Sequence, residues 1–251
     1  MNIHYHQRGL TLLELLVAIT LGLAVVTGTI QIYLGTSQTY RVQEAQSRIQ
    51  ENGRYALEVL NREIRMVGFG GSTMPIQGYA DDDDDFPVSF GSDSGDRVEQ
   101  TEAIVVSYVF NSINESFQFY IGKSVSGNST SLYQSTQELI EHVEDMRILY
   151  GVDTNNDRRV NRYCVAPPAT PPATPPCVVT DWERVVAVRI SLLLASPPPP
   201  SPRVINEAQT VFFPSEDVVG GDLVSGIPVT FDDGRLRQVF STTIGIRNRL
   251  L

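Results

Sequence analysis

Lysine is almost missing from this chain. Lys123 is the one lysine, and every other basic residue is arginine. The formal charge is −10. An acidic chain of this kind is a poor partner for nucleic acid, which is held through clustered cations on phosphates. Histidine is scarce too: beyond the first ten residues only His142 remains. Together with Asp93-Ser94-Gly95 it could suggest a hydrolase triad, but the surrounding pattern of such enzymes is missing. No catalytic set is visible, and the chain reads as a non-enzyme. The only cysteines are Cys164 and Cys177, too far apart for a Cys-x-x-Cys redox motif. Proline is absent before Pro75, so nothing breaks a helix over the first quarter of the chain. The hydrophobic fraction is 41%, enough for a real core.

What is present begins at the N-terminus. A short polar leader, residues 1–9, ends in Arg8-Gly9. An apolar run then extends from Leu10 to about Ile30, interrupted by one ionisable residue, Glu14. About 20 apolar residues in a helix span a bilayer. A carboxylate within such a run costs roughly 2.5–3.5 kcal/mol at the bilayer centre and less near an end. Its presence points to an interaction made inside the membrane or inside an apolar assembly. A secretory signal would have a shorter apolar core followed by a small-x-small cleavage site. A plain anchor would leave the acid unexplained.

The stretch Arg8-Gly9-Leu10-Thr11-Leu12-Leu13-Glu14 resembles the leader of type IV pilins and pseudopilins. The resemblance implies that a membrane peptidase cuts between Gly9 and Leu10 and methylates the new amine. Glu14 is then the fifth mature residue and sets register by meeting the N-terminal amine of a neighbouring subunit. Leu10 departs from the phenylalanine often found there. Past the apolar run, Val42, Ala45, Ile49, Ala56, Leu60, Ile64 and Val67 recur at spacings of three and four, with Gly53 in the same series. Glu44–Arg48 and Glu58–Arg62 are i,i+4 pairs on the wet side. One helix of about 55 residues is expected, ending at the cluster Gly68-Phe69-Gly70-Gly71. The segment Arg48-Ile49-Gln50-Glu51-Asn52-Gly53-Arg54-Tyr55-Ala56, the following Arg65-Met66-Val67-Gly68, and the closing Arg237-to-Arg249 strand are similar to PilW-type minor pilins.

The expected fold is α+β and type IV pilin-like: a leader (1–9), a long N-terminal helix (10–70, with 10–30 in the membrane or filament core) packed on an antiparallel β-sheet, and a globular β-rich domain (71–251). Residues 71–101 read as polar and turn-rich, and Asp81 to Asp85 as a solvated loop. Strands are expected at Ala103–Phe110 and Phe117–Ile121, joined by a turn over Asn111–Ser116. A short strand follows at Leu132–Tyr133, then a helical turn at Leu139–Glu144. Further strands are expected at Met146–Val152, from Trp182 to Ala195, at Gln209–Phe213, at Pro228–Phe231 and at Leu236–Arg247. Asp153, Asn155, Asp157 and Asn161 place oxygen ligands in a calcium-loop-like pattern. However, Arg158 replaces the turn glycine and Cys164 the bidentate acid, so a plain hairpin is the competing reading and no cofactor is otherwise expected.

Arg8 precedes the apolar run and no charge follows it until Arg41. The leader is therefore expected in the cytoplasm and the domain in the periplasm. There a Cys164–Cys177 disulfide is favoured, closing a proline-rich loop for about 3 kcal/mol in the chain-entropy model. The resemblance implies a minor pilin of a type IV pilus, a single-pass inner-membrane protein that passes into the surface filament. It would prime or support pilus assembly within a minor-pilin complex at the tip, and so serve adhesion and twitching motility. The implied partners are other minor pilins, the major pilin, the prepilin peptidase and methylase, the inner-membrane assembly platform and a tip adhesin. A minor pseudopilin of type II secretion is the alternative, and a membrane-tethered enzyme is the reading from a different class.

Overall fold

A computed structural model describes residues 11–72, 75–81, 83, 85–88, 93–127, 129–168, 177–197, 205, 207–213, 218–219, 222–223 and 227–250. The first element, α1, runs unbroken over Leu12–Met66. Thr11 starts it: its hydroxyl accepts the Glu14 N–H at 3.2 Å, a side-chain cap on the first turn. The threonines of the apolar run hide their own polarity. Thr20, Thr27 and Thr29 donate their hydroxyls back to the carbonyls of Leu16, Leu23 and Val25. The helix can thus be apolar outside without leaving a hydroxyl unsatisfied.

The chain divides into two compact units, Met1–Glu44 and Ala45–Leu251. In the first, the described residues are helix, and the large apolar side chains stand open: Leu12 is 82% exposed and Leu23 60%. The helix has a stretch of mean hydropathy 2.1, none of it buried, and is long and apolar enough to cross a membrane.

In the second unit the helix behaves differently. Ala45, Ile49, Gly53, Ala56, Leu60 and Ile64 are buried along one stripe, which continues to Val67. They join a core made with two antiparallel sheets. One sheet holds β1 (Ile76–Tyr79), β2 (Ala103–Phe110), β3 (Ile113–Lys123), β4 (Thr130–Gln134) and β5 (Gln137–Glu141), in that spatial order. The other comprises β6 (Val143–Val152), β7 (Arg162–Cys164), β8 (Val185–Ala195) and β13 (Arg237–Gly245), ordered β13-β8-β6-β7. Between β8 and β13, β9 (Gln209–Phe213) pairs with β12 (Ile227–Phe231), and β10 (Val218–Val219) with β11 (Asp222–Leu223). A closing turn, α2, spans Arg247–Leu250. His142 hands the chain from one sheet to the other. Its N–H bonds Thr130 O, and its carbonyl accepts from Ala195 N–H.

On β8, Val188, Ile190, Leu192 and Leu194 belong to the core, as their alternation requires. Phe240, Ile244 and Ile246 join them from the last strand and its end. Other expectations need correction. Leu139–Glu144 is not helical: β4 and β5 form a hairpin whose turn begins at Ser135, with φ +54°. Strand pairing overrides the local helical pattern there. The turn expected over Asn111–Ser116 is only Asn111-Ser112, both with positive φ, and β3 starts at Ile113. Trp182 opens a single 3-10 turn rather than a strand, because the Asp181 side chain caps it by accepting Glu183 N–H. The stretch read as turn-rich contains β1, four residues interrupted by Gly78 and too short to show a period.

Two glycines let elements touch. A Cβ on Gly53 would lie 2.6 Å from the Phe240 ring, so the β13 ring rests directly on the helix backbone. A Cβ on Gly78 would lie 2.0 Å from the Tyr150 hydroxyl. Tyr150 is fully buried and meets Trp182 edge-on at 4.9 Å. Burial pushes its phenol well above the ordinary value.

Alanine at an unhindered helical glycine gains about 1 kcal/mol. At position 53 we expect the reverse, a loss of about 1–3 kcal/mol by overpacking. Urea titration of Gly53→Ala measures this. The same substitution in a Phe240→Ala background should recover the ordinary gain.

Candidate functional site

The candidate features are the two ends of α1 and the clamps that fasten the domain around its second half. At the first end Glu14 sits in the opening turn, near the helix's positive pole. Thr11-Leu12-Leu13-Glu14 is the T-x-x-E pattern of a capped helix start, a local signal that sequence reading had passed over. Gly9 and Leu10, the expected cleavage residues, lie outside the described residues.

At the other end the helix stops at three glycines with positive φ. Gly68 is at +76°, Gly70 at +72° and Gly71 at +83°. A Cβ on Gly70 would meet Val109 O at 2.5 Å. The freed helix carbonyls are taken by a residue far away in sequence. Asn248 Nδ2 donates to Val67 O at 3.0 Å and to Met66 O at 3.4 Å. Its neighbour Arg249 donates to Val185 O at 3.1 Å and also to Trp182 O. Asn248 is therefore a lock on the helix end, and Arg249 ties the same segment to the start of β8.

A second clamp is ionic. Arg237, 5% exposed, donates to Glu144 at 2.6 Å and to both Asp233 oxygens at 2.7 and 2.6 Å. Its guanidinium lies 3.9 Å from the centre of the Phe231 ring. Arg235 also pairs with Glu144 and donates to Ser196 O at 2.7 Å. Hydrogen bonds from Arg237 hold the Asp233 carboxyl well below the usual carboxylate range.

The aspartate loop is less solvated than expected. Arg97 is wholly buried and donates to the carbonyls of Ala80, Asp83 and Thr101. Asp81 pairs with Arg147 at 3.2 Å. Asp82 and Asp84 lie outside the described residues. No sequence signal marks Arg97, because a lone arginine in a polar stretch reads as solvated.

In the calcium-like loop the oxygens serve the loop itself. Asp153 accepts N–H groups from Asn155, Asn156 and Arg158 at 3.0, 2.7 and 2.7 Å. Asp157 accepts from Arg159 N–H at 2.9 Å, and Asn161 from Thr154 N–H at 2.7 Å. Among the described residues no group of three or more His, Cys, Asp or Glu side chains could hold a metal ion. The two cysteines are joined, Cys164 to Cys177. The strand is continued past them by Val165 N–H on Cys177 O at 2.8 Å. Asp93-Ser94-Gly95 forms a turn whose Gly95 N–H bonds Lys123 O at 2.9 Å.

A helix that starts apolar and open, carries an acid in its first turn and ends clamped on antiparallel sheets has the architecture of the type IV pilin-like class. Residues 5–30 match the prokaryotic N-terminal methylation motif. Residues 118–248 match the model of the type IV pilus-assembly protein W family. The chain belongs to that family, one of structural pilins rather than enzymes. The family match begins within β3 and takes in the closing stretch from Arg237 to Asn248, while Arg48–Ala56 falls in neither match. A type IV-like pilin from Thermus thermophilus is similar over 81% of this chain and 99% of its own, at 13% identity and a TM-score of 0.43. No curated protein matches the chain.

One acid in the domain is tuned by its surroundings. Burial raises the Asp145 carboxyl to about 6, against the pull of Arg147. The ionised form is thus the costly one in the fold. Stability from this group is present below the ordinary carboxylate range and is lost as pH rises through about 6. Asp145→Asn should stabilise the domain by about 1–3 kcal/mol at pH 7.5, with the gain vanishing near pH 3.5. Denaturant midpoints across that range test the sign.

Proposed function

We propose that this protein is a minor pilin that primes or supports type IV pilus assembly within a complex of minor pilins at the filament tip. One observation carries the reading: a single chain joins the N-terminal methylation motif of residues 5–30 to the pilus-assembly protein W match of residues 118–248. Prepilin peptidase cuts after Gly9 and methylates Leu10. The apolar helix holds the subunit in the inner membrane, with the domain in the periplasm, until the assembly platform lifts it into the filament. There the apolar side chains pack against neighbouring helices. An ammonium at Leu10 and the Glu14 carboxylate of an adjoining subunit are both poorly solvated, so pairing lowers the cost of each. The partners are other minor pilins, the major pilin and a tip adhesin. No calcium or other cofactor enters the mechanism.

Mass spectrometry of sheared surface filaments and of membranes tests this. The expected N-terminal peptide begins at N-methyl-Leu10 and occurs in the sheared fraction. Confinement of that peptide to membranes would favour a secretion pseudopilin. An intact Met1 leader in both would overturn the reading. Glu14→Val should leave processing intact and lower the amount of subunit in filaments at least tenfold.

A further inference from the structure

The last strand presents an open edge. β13 pairs with β8 without a break in register from Arg237↔Ala195 to Gly245↔Ala187. At the two ends of this ladder Ser196 N–H bonds Leu236 O, and Ile246 N–H bonds Val186 O. Backbone groups alternate in direction along an antiparallel strand. The even-numbered residues of β13 therefore turn their N–H and C=O toward β8, and the odd-numbered residues turn theirs outward. At Arg237 the outward pair is occupied. Gln209 acts as a substitute strand, its Oε1 accepting Arg237 N–H and its Nε2 donating to Arg237 O, both at 2.7 Å. Beyond it, the outward N–H and C=O groups of Val239, Ser241, Thr243 and Gly245 meet no partner among the described residues. Ser241 and Thr243 are exposed.

Proteins blunt such edges with lysine, proline, a bulge or a covering element. β13 has no lysine or proline, and its register has no bulge; among the described residues β9 lies against its first end, where Val211 packs with Val239, and from Ser241 onward the edge has no cover. From Gln238 to Ile246 it carries no charge at all. We infer that the β13 edge, from Val239 to Gly245, receives an extended strand from a neighbouring pilin-class subunit, continuing the β8–β13 sheet across the subunit boundary. The uncharged row selects an uncharged, β-branched or hydroxyl-bearing strand, since a charged one would find no counter-charge along it. A second copy of this chain meeting β13 edge to edge would form a two-fold pair. Such a contact closes on itself, whereas a filament needs head-to-tail contacts. The occupant is therefore not a second β13, and we assign it to a strand of a different subunit. This inference rests on the minor-pilin reading for the existence of such a neighbour.

Amide hydrogen exchange on the full-length protein tests it directly. In detergent-solubilised monomer, the amides of Val239, Ser241, Thr243 and Gly245 should exchange at least a hundredfold faster than those of Phe240 and Thr242. In assembled filaments or the solubilised pilin complex they should become protected. Unchanged exchange on assembly overturns the inference. Against the controls Thr243→Val and Ser241→Ala, which lose the same side-chain bonds to Arg189 and Ser191 of β8, Thr243→Pro deletes one outward backbone donor and Ser241→Lys places a charge on the edge. Both should keep the monomer's melting temperature within a few degrees and lower recovery in sheared filaments at least tenfold. If N-methyl-Leu10 appears in filaments and these variants assemble like wild type, the edge inference fails while the pilin reading stands. If no N-methyl-Leu10 peptide is found, the pilin reading fails first. Thr243→Cys, oxidised in filaments, should crosslink to a different pilin-class chain carrying an engineered cysteine on an uncharged strand. A crosslinked pair of this chain alone would overturn the assigned occupant.

Discussion

Everything in the domain depends on the buried stripe of α1. Ile49, Leu60 and Ile64 lie at or near zero exposure, each worth about 1.5–3 kcal/mol of burial. The same helix, uninterrupted, begins with leucines open to their surroundings. One element thus meets two environments: the protein's own core after Ala45, and before it an open apolar run long enough to cross a membrane. A helix suits this because its backbone bonds are internal and need nothing from either environment. Placing the stripe against the sheets requires Gly53, since the Phe240 ring occupies the space a side chain would take. Stopping the helix requires Asn248, from the far end of the chain.

The near-absence of lysine acquires a structural meaning here. The buried and half-buried arginines each hold several groups at once. Arg97 joins three carbonyls, Arg237 two carboxylates and a ring, and Arg249 two carbonyls. A guanidinium offers five donors in a fixed plane, whereas an ammonium is a strongly hydrated point charge. Loops of this domain are fastened by arginine instead of by apolar packing alone. That is how a strongly acidic chain can bury polar loop backbone without leaving carbonyls unpaired.

For a filament subunit, two surfaces then stand out by what they leave unused. Among the described residues, the apolar run of α1 is exposed within its own unit, and the outer ladder of β13 is paired at Arg237 and open from Ser241 to Gly245. The first is non-directional and gives cohesion. The second is directional, and its hydrogen bonds would set which neighbour fits and in what register. At Arg237 the Gln209 side chain already fills the outward pair as a neighbouring strand would.

The long helix, its apolar start, Glu14, the stripe to Val67 and the stop at Gly68 were legible in the residues, because helical periodicity is local and a 55-residue pattern averages out exceptions. The strands β2, β8 and β13 were legible from their β-branched and aromatic residues, with alternation on β8 and β13 adding which face is buried. What escaped was set by distant partners. β5 looks helical alone and becomes a strand because β4 lies beside it. Arg97 looks solvated and is buried because three carbonyls converge on it. The division into two sheets, the lock on the helix end and the open edge of β13 were decided only in three dimensions. A hydrogen-bonding group carries no mark of its partner until the fold brings one to it, while an apolar periodicity declares its buried face in advance.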